Sequence, residues 1–141
     1  MKPLKICIVG AGQFSQCFVP LYQSHPLVGE VSLCETLPDR LEAEAGRLKV
    51  VRTFSSYDEV LRSDVDAVAI FTQRWSHAPM ALQALAAGKH VYCAVPAATT
   101  LDELHQLVEA VKRSGLTYMM GETSLYYGTR LFMKEKWGAG E

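Results

Sequence analysis

The apolar run Leu4-Lys5-Ile6-Cys7-Ile8-Val9 passes without a spacer into Gly10-Ala11-Gly12-Gln13-Phe14-Ser15, and few architectures accept that junction. β-Branched residues favour an extended segment, paired glycines permit a sharp turn, and the apolar spacing from Gln13 to Ser24 is helical. A strand, a tight turn and a helix in that order leave the first helical N–H groups pointing at the turn, where an anion is stabilised. Gly10 allows the bend and Gly12 allows a diphosphate to approach the backbone, with Gln13 and Phe14 in the first turn. Ser15 stands where a third glycine is usual; it is small enough for helix and strand to pack closely.

The rest of the chain repeats the alternation. Extended runs are expected at Glu30 to Glu35, Val50 to Phe54, Ala67 to Thr72, His90 to Cys93 and Thr117 to Met120. Between them, Pro38 to Gly46 and Tyr57 to Arg62 read as short helices. Met80 to Ala87 reads as a helix with Ser76 as cap, Pro79 in the first turn and Gly88 as stop. Thr100-Leu101-Asp102-Glu103 has capping-box spacing ahead of Leu104, Leu107, Val108 and Val111, and Gly115 ends that helix. Tyr126 to Trp137 predicts one more. The fold class is therefore α/β, a doubly wound parallel sheet (Rossmann fold) of about six strands with helices on both faces.

A chain of 141 residues supports one core, and 14 Lys+Arg against 15 Asp+Glu leaves a formal charge of -1. Without a basic surplus, nucleic acid is not an expected partner. No apolar stretch approaches the roughly 18–20 residues a membrane-spanning helix needs, and the N-terminal apolar run is too short for a signal-peptide core, so a cytoplasmic chain is expected. Cys7, Cys17, Cys34 and Cys93 form no Cys-x-x-Cys pair, so no metal site is spelled out, and reduced, structural thiols are expected.

Position sharpens the glycine turn. The second extended run ends at Glu35, where an acidic side chain bonds the ribose hydroxyls of an adenosine, so the pattern points to dinucleotide binding. A structural turn in an unrelated α/β protein is the alternative. A carboxylate there repels a 2'-phosphate, which favours NAD over NADP. Arg40, a few residues on, either swings toward a phosphate or is a solvated helix charge.

Together, Gly10-Ala-Gly12, Cys34-Glu35, the run Ala69 to His77, and Ala86-Ala-Gly88-Lys-His90-Val-Tyr-Cys93 with Pro96 resemble the glucose-fructose oxidoreductase, inositol dehydrogenase and MocA (Gfo/Idh/MocA) family over nearly the whole chain. That resemblance implies an NAD(P)-binding Rossmann domain over residues 1–124. It implies that residues 125–141 begin the connection to a C-terminal substrate domain absent from this chain. It also implies a hydride transfer between a nicotinamide cofactor and a sugar or polyol-like substrate, little turnover by this portion alone, and homo-oligomers formed through the missing domain.

One departure is chemical. Where the family has Glu-Lys-Pro, this chain has Ala94-Val95-Pro96, and valine can neither donate nor titrate, so the family's lysine-assisted step does not carry over; the catalytic residue is unknown. Lys89, across the strand, is no replacement by position. A Val-Pro pair also occurs in a branch of NAD-dependent glycosidases that oxidise the sugar transiently, which is the second reading; a non-catalytic nucleotide-binding protein is the third. The resemblance implies cofactor contacts from Thr72, Gln73, Ala94 and Val95. For His77 it leaves two readings, ribose contact or a structural hydrogen bond, and for Trp75 adenine cover or helix packing. Glu122, Thr123 and Tyr126 are the substrate-side candidates.

Overall fold

The computed structural model describes residues 2–140. Met1 and Glu141, the outer limits of the two expected regions, lie outside the described residues. Six strands, β1 (Leu4–Val9), β2 (Val28–Cys34), β3 (Arg52–Phe54), β4 (Ala67–Ile70), β5 (His90–Ala94) and β6 (Tyr118–Gly121), form one sheet in the order β3-β2-β1-β4-β5-β6. Every pairing is parallel. The chain winds outward from β1 in one direction and then from β4 in the other, so a crevice opens between β1 and β4 at the carboxyl edge.

Side-chain alternation builds two cores. Cys7 and Val9 of β1 face one side with Val68 and Ile70 of β4; Ile6 and Ile8 face the other with Ala69 and Phe71. The first layer is covered by α4 (Tyr57–Arg62), α5 (His77–Ala86) and α6 (Leu101–Ser114), through Val60, Ala81, Leu85 and Leu107. The second is covered by α1 (Gln13–Gln16), α2 (Phe18–Ser24) and α3 (Pro38–Leu48), through Phe18, Val19 and Ala45. Burying each large aliphatic side chain contributes about 1.5–3 kcal/mol, so the apolar strand runs stabilise only this two-sided arrangement.

Several boundaries move from their expected places. The helix expected from Gln13 to Ser24 is interrupted at Cys17, which keeps right-handed helical angles (φ -70°, ψ -24°). Pro20 has no N–H to offer the Gln16 carbonyl, and its ring crowds that position. Gly46 does not stop α3, which continues to Leu48 and ends on Lys49 with left-handed φ 55°. β3 accordingly starts at Arg52 rather than Val50, whose N–H is spent on the Ala45 carbonyl of the helix end. Ser76 holds the N-cap position of α5 as expected, but its hydroxyl makes no cap bond to the helix and instead donates to the Gln73 carbonyl within a 3₁₀ turn over Arg74–Ser76. The last helix is preceded by a 3₁₀ turn, Thr123–Tyr126, and runs as α7 (Gly128–Gly138) without a buried residue. Among the described residues, no helix is long and apolar enough to cross a membrane.

Candidate functional site

Strand register assembles the site. Val9 is level with Cys34 and with Ile70, Ile70 with Cys93, and Ala94 with Gly121. The residues that follow, Gly10, Glu35, Phe71, Val95 and Glu122, therefore form one rim at the carboxyl edge although they are scattered along the chain.

At the rim's centre Gly10 has φ +94°, and a Cβ there would lie 3.0 Å from the Phe71 carbonyl oxygen. Both facts exclude any other residue without strain. Around Gly12, which caps α1 with extended angles, the space is open: a Cβ there meets nothing within 4 Å. Gln13 and Phe14 are exposed in the first helical turn, with Phe14 edge-on to Phe18 and Phe71 at centroid distances of 5.2 and 5.8 Å. Ser15 is buried and donates to the Gly12 carbonyl at 2.7 Å, so the third small residue packs as expected.

Glu35, one residue beyond β2, is held by more than was foreseen. Its carboxylate accepts the N–H groups of Ala11 at 3.1 Å, Thr36 at 2.8 Å and Leu37 at 3.2 Å. Arg40 stands 3.6 Å away on the same oxygen that takes Ala11. Burial pushes the carboxyl up, but the amides of Leu37, Ala11 and Thr36, with Arg40, outweigh it and hold the group below the ordinary glutamate value. A recess of about 90 Å³ joins Gly10, Glu35, Thr36 and Thr72 above Val9 and Cys34.

On the other side of the crevice, the Thr72 hydroxyl is 2.7 Å from the Ser76 hydroxyl, and Gln73 is exposed on the turn. His77 is buried, with both ring nitrogens on main-chain carbonyls, so its ring belongs to the frame of the crevice and not to its open surface. Trp75 is 64% exposed on the 3₁₀ turn. Ala94 is buried at the end of β5, while Val95 is exposed on the rim beside Pro96. Lys89 donates from Nζ to the Ser63 and Val65 carbonyls at 2.7 and 2.8 Å, anchored at the other end of β5 from Val95.

Beyond β6, Glu122 accepts the Ser124 N–H at 2.8 Å, a contact that lowers its carboxyl. Thr123 begins the 3₁₀ turn and Tyr126 is largely exposed. The close packing of Gly121 gave no signal in the sequence: a Cβ there would lie 2.1 Å from the Tyr92 hydroxyl. The Ala11 amide and the Pro96 carbonyl were missed for a similar reason, since main-chain partners carry no residue signature. Among the described residues no group of three or more His, Cys, Asp or Glu is placed to hold a metal ion.

Comparison with known proteins agrees with this architecture. Residues 4–122 match the Gfo/Idh/MocA family, described as an oxidoreductase family with an NAD-binding Rossmann fold. A glycosyl hydrolase family 109 protein of Saccharopolyspora erythraea is 31% identical over 123 residues, 80% of this chain and 27% of that protein. A 4-carboxy-2-hydroxymuconate-6-semialdehyde dehydrogenase of Sphingobium is 27% identical over 98% of this chain and 44% of its own length. The fold is shared with the scyllo-inositol dehydrogenase of Lactobacillus casei, solved with NAD(H) and scyllo-inositol: TM-score 0.88, 22% identity, 99% of this chain and 42% of that one. This chain thus spans less than half the length of these relatives. By sequence match and by sheet topology, the chain belongs to the Gfo/Idh/MocA oxidoreductase family as its NAD-binding Rossmann domain.

Proposed function

We propose that this chain binds NAD as the cofactor half of an oxidoreductase moving a hydride to or from a sugar or polyol-like substrate. One observation carries the reading: Gly10, at φ +94°, is tucked against the Phe71 carbonyl beside an open Gly12 and the acid at the end of β2. That cradle fits a diphosphate with its adenosine ribose, and a side chain at Gly10 would displace it. The amides of Gly12, Gln13 and Phe14 would face the diphosphate, Glu35 the ribose hydroxyls, and Thr72 and Gln73 the stretch toward the nicotinamide. Arg40, paired with Glu35, orients that carboxylate and neutralises part of its charge. Ala94 and Val95 would form an apolar, water-excluding bed beside the nicotinamide, which when bound supplies the hydride acceptor or donor.

Glu122, Thr123 and Tyr126 lie on the rim toward the substrate side. Residues 1–124 are the cofactor unit in this reading, and residues 125–141 lead toward a substrate domain whose surfaces would also make the oligomer. Calorimetric titration with NAD and NADP tests it. Heat from NAD with weaker binding of NADP is expected; no heat from either overturns it.

A second reading is favoured by Val95-Pro96 and by the glycosyl hydrolase family 109 relative at 31% identity. In it the polypeptide cleaves a glycoside after transient NAD-dependent oxidation of the sugar. Release of an aryl alcohol from aryl glycosides by the complete gene product, with NAD added, separates the two.

A further inference from the structure

Between the ends of β4 and β5 one buried ring spans the gap. His77 opens α5, is 2% exposed, and holds Nδ1 2.8 Å from the Pro96 carbonyl oxygen and Nε2 3.1 Å from the Thr72 carbonyl oxygen. A neutral imidazole donates through one nitrogen, chosen by tautomer, and an imidazolium donates through both. In either form this ring fills the space and offers the N–H. The two carbonyls belong to loops: Thr72 and Pro96 each lie two residues past the last residue of their strand. Pairing between β4 and β5 stops at Ile70 with Cys93, and beyond it the ring takes over as the link.

The β4 loop is in turn pressed against the glycine turn, since a Cβ on Gly10 would approach the Phe71 carbonyl oxygen to 3.0 Å and the Thr72 methyl to 3.3 Å. The row from Gly10 through Thr72 and His77 to Pro96 is therefore continuous across the crevice. We infer that His77 is a positioning residue that sets the distance from the glycine turn to the Val95–Pro96 rim. It thereby decides how well the nicotinamide half of a dinucleotide is seated, while leaving the adenosine half to Glu35. The inference rests on the cofactor reading above.

The test compares NADH with ADP-ribose, which shares the adenosine and diphosphate but lacks the nicotinamide. Both are titrated calorimetrically into the full chain and into His77→Phe, which keeps bulk and loses the ring nitrogens. With the rim no longer held at its distance, NADH affinity is expected to fall about tenfold, with ADP-ribose changed by less than about twofold. His77→Gln, which can still donate to one carbonyl, recovers part of the loss. Equal factors for the two ligands, or no change in either, overturn the inference.

Should His77→Phe fail to fold, the native chain carries the test through ¹⁵N-histidine spectra. NADH is expected to move the His77 ring signals and ADP-ribose to leave them in place; equal movement, or none, overturns the inference. A native chain that binds neither ligand instead overturns the cofactor reading and takes the inference with it.

Discussion

The Glu35 carboxylate accepts the main-chain N–H of Ala11 at 3.1 Å, so the acid at the end of β2 is tied to the turn at the end of β1. In the function proposed above, the residue that would select the nucleotide also braces the loop that would receive it. On that reading, binding and stability are coupled through one side chain.

Glu35→Gln is expected to lower stability in a pH-dependent way. The folded carboxyl lies below its ordinary value, so the ionised form is the one that stabilises the fold. That contribution is fully present above the unfolded value of about 4.3 and is lost as pH falls through the folded value. Urea unfolding of both proteins from neutral to acid pH should show a gap that closes toward the acid end; a gap constant with pH would sink the idea.

If Glu35 faces the adenosine ribose as proposed, cofactor choice follows the same carboxylate. Glu35→Ala removes the acceptor for ribose hydroxyls and the repulsion of a 2'-phosphate, and it releases Arg40 from its 3.6 Å pairing. NAD affinity should drop by about ten- to a hundredfold while NADP gains relative to it. An unchanged NAD to NADP ratio in paired titrations would argue that the ribose sits elsewhere.

Gly10→Ala should cost at least about 2 kcal/mol in urea unfolding, because alanine must adopt a strained φ and meet the Phe71 carbonyl. NAD binding should be lost with it. Gly12→Ala is the control: its Cβ has open space, so folding should be nearly unchanged while binding weakens.

How much of this was legible beforehand depended on what each feature is made of. The sharp turn at Gly10 and Gly12 and the acid beside it, Glu35, were readable because a turn and a strand end depend on residue type at fixed spacing, and the order of six short apolar runs was enough for the sheet. The capping box is an example of local chemistry read directly: Glu103 N–H donates to Thr100 Oγ1 at 3.1 Å, and Thr100 N–H to Glu103 Oε2 at 3.2 Å. The break at Cys17 was missed although Pro20 was in view, because one absent N–H perturbs a helix without stopping it. Gly46 misled for the opposite reason: α3 gains more from burying Ala45 and packing Leu48 than it loses to one interior glycine. The two carbonyls on His77 were invisible, since main-chain acceptors are made by the fold and not by residue identity.

Thr100→Ala should destabilise the chain by about 1 kcal/mol, the usual cost of losing a hydroxyl cap. NAD affinity should stay the same, since the cap lies outside the glycine cradle. A fall in affinity without a fall in melting temperature would contradict this separation.

The thiols divide sharply. Burial pushes Cys7 and Cys34 up to about 12 and Cys93 up to about 11, whereas Cys17 is exposed beside the α1–α2 break. Intact-mass analysis after alkylation near neutral pH is expected to show Cys17 modified in the folded chain, with the other three reacting only after denaturation.

The contact between Tyr92 and Gly121 limits how this rim can be re-engineered. A phenol occupies the volume that any β carbon at Gly121 would need. A substitution at Gly121 alone must push the Tyr92 ring aside, whereas Tyr92 can be made smaller without touching Gly121, so a library aimed at new specificity should vary Gly121 only together with Tyr92. Leu125 and Tyr126, exposed on the turn that follows, are better positions to vary.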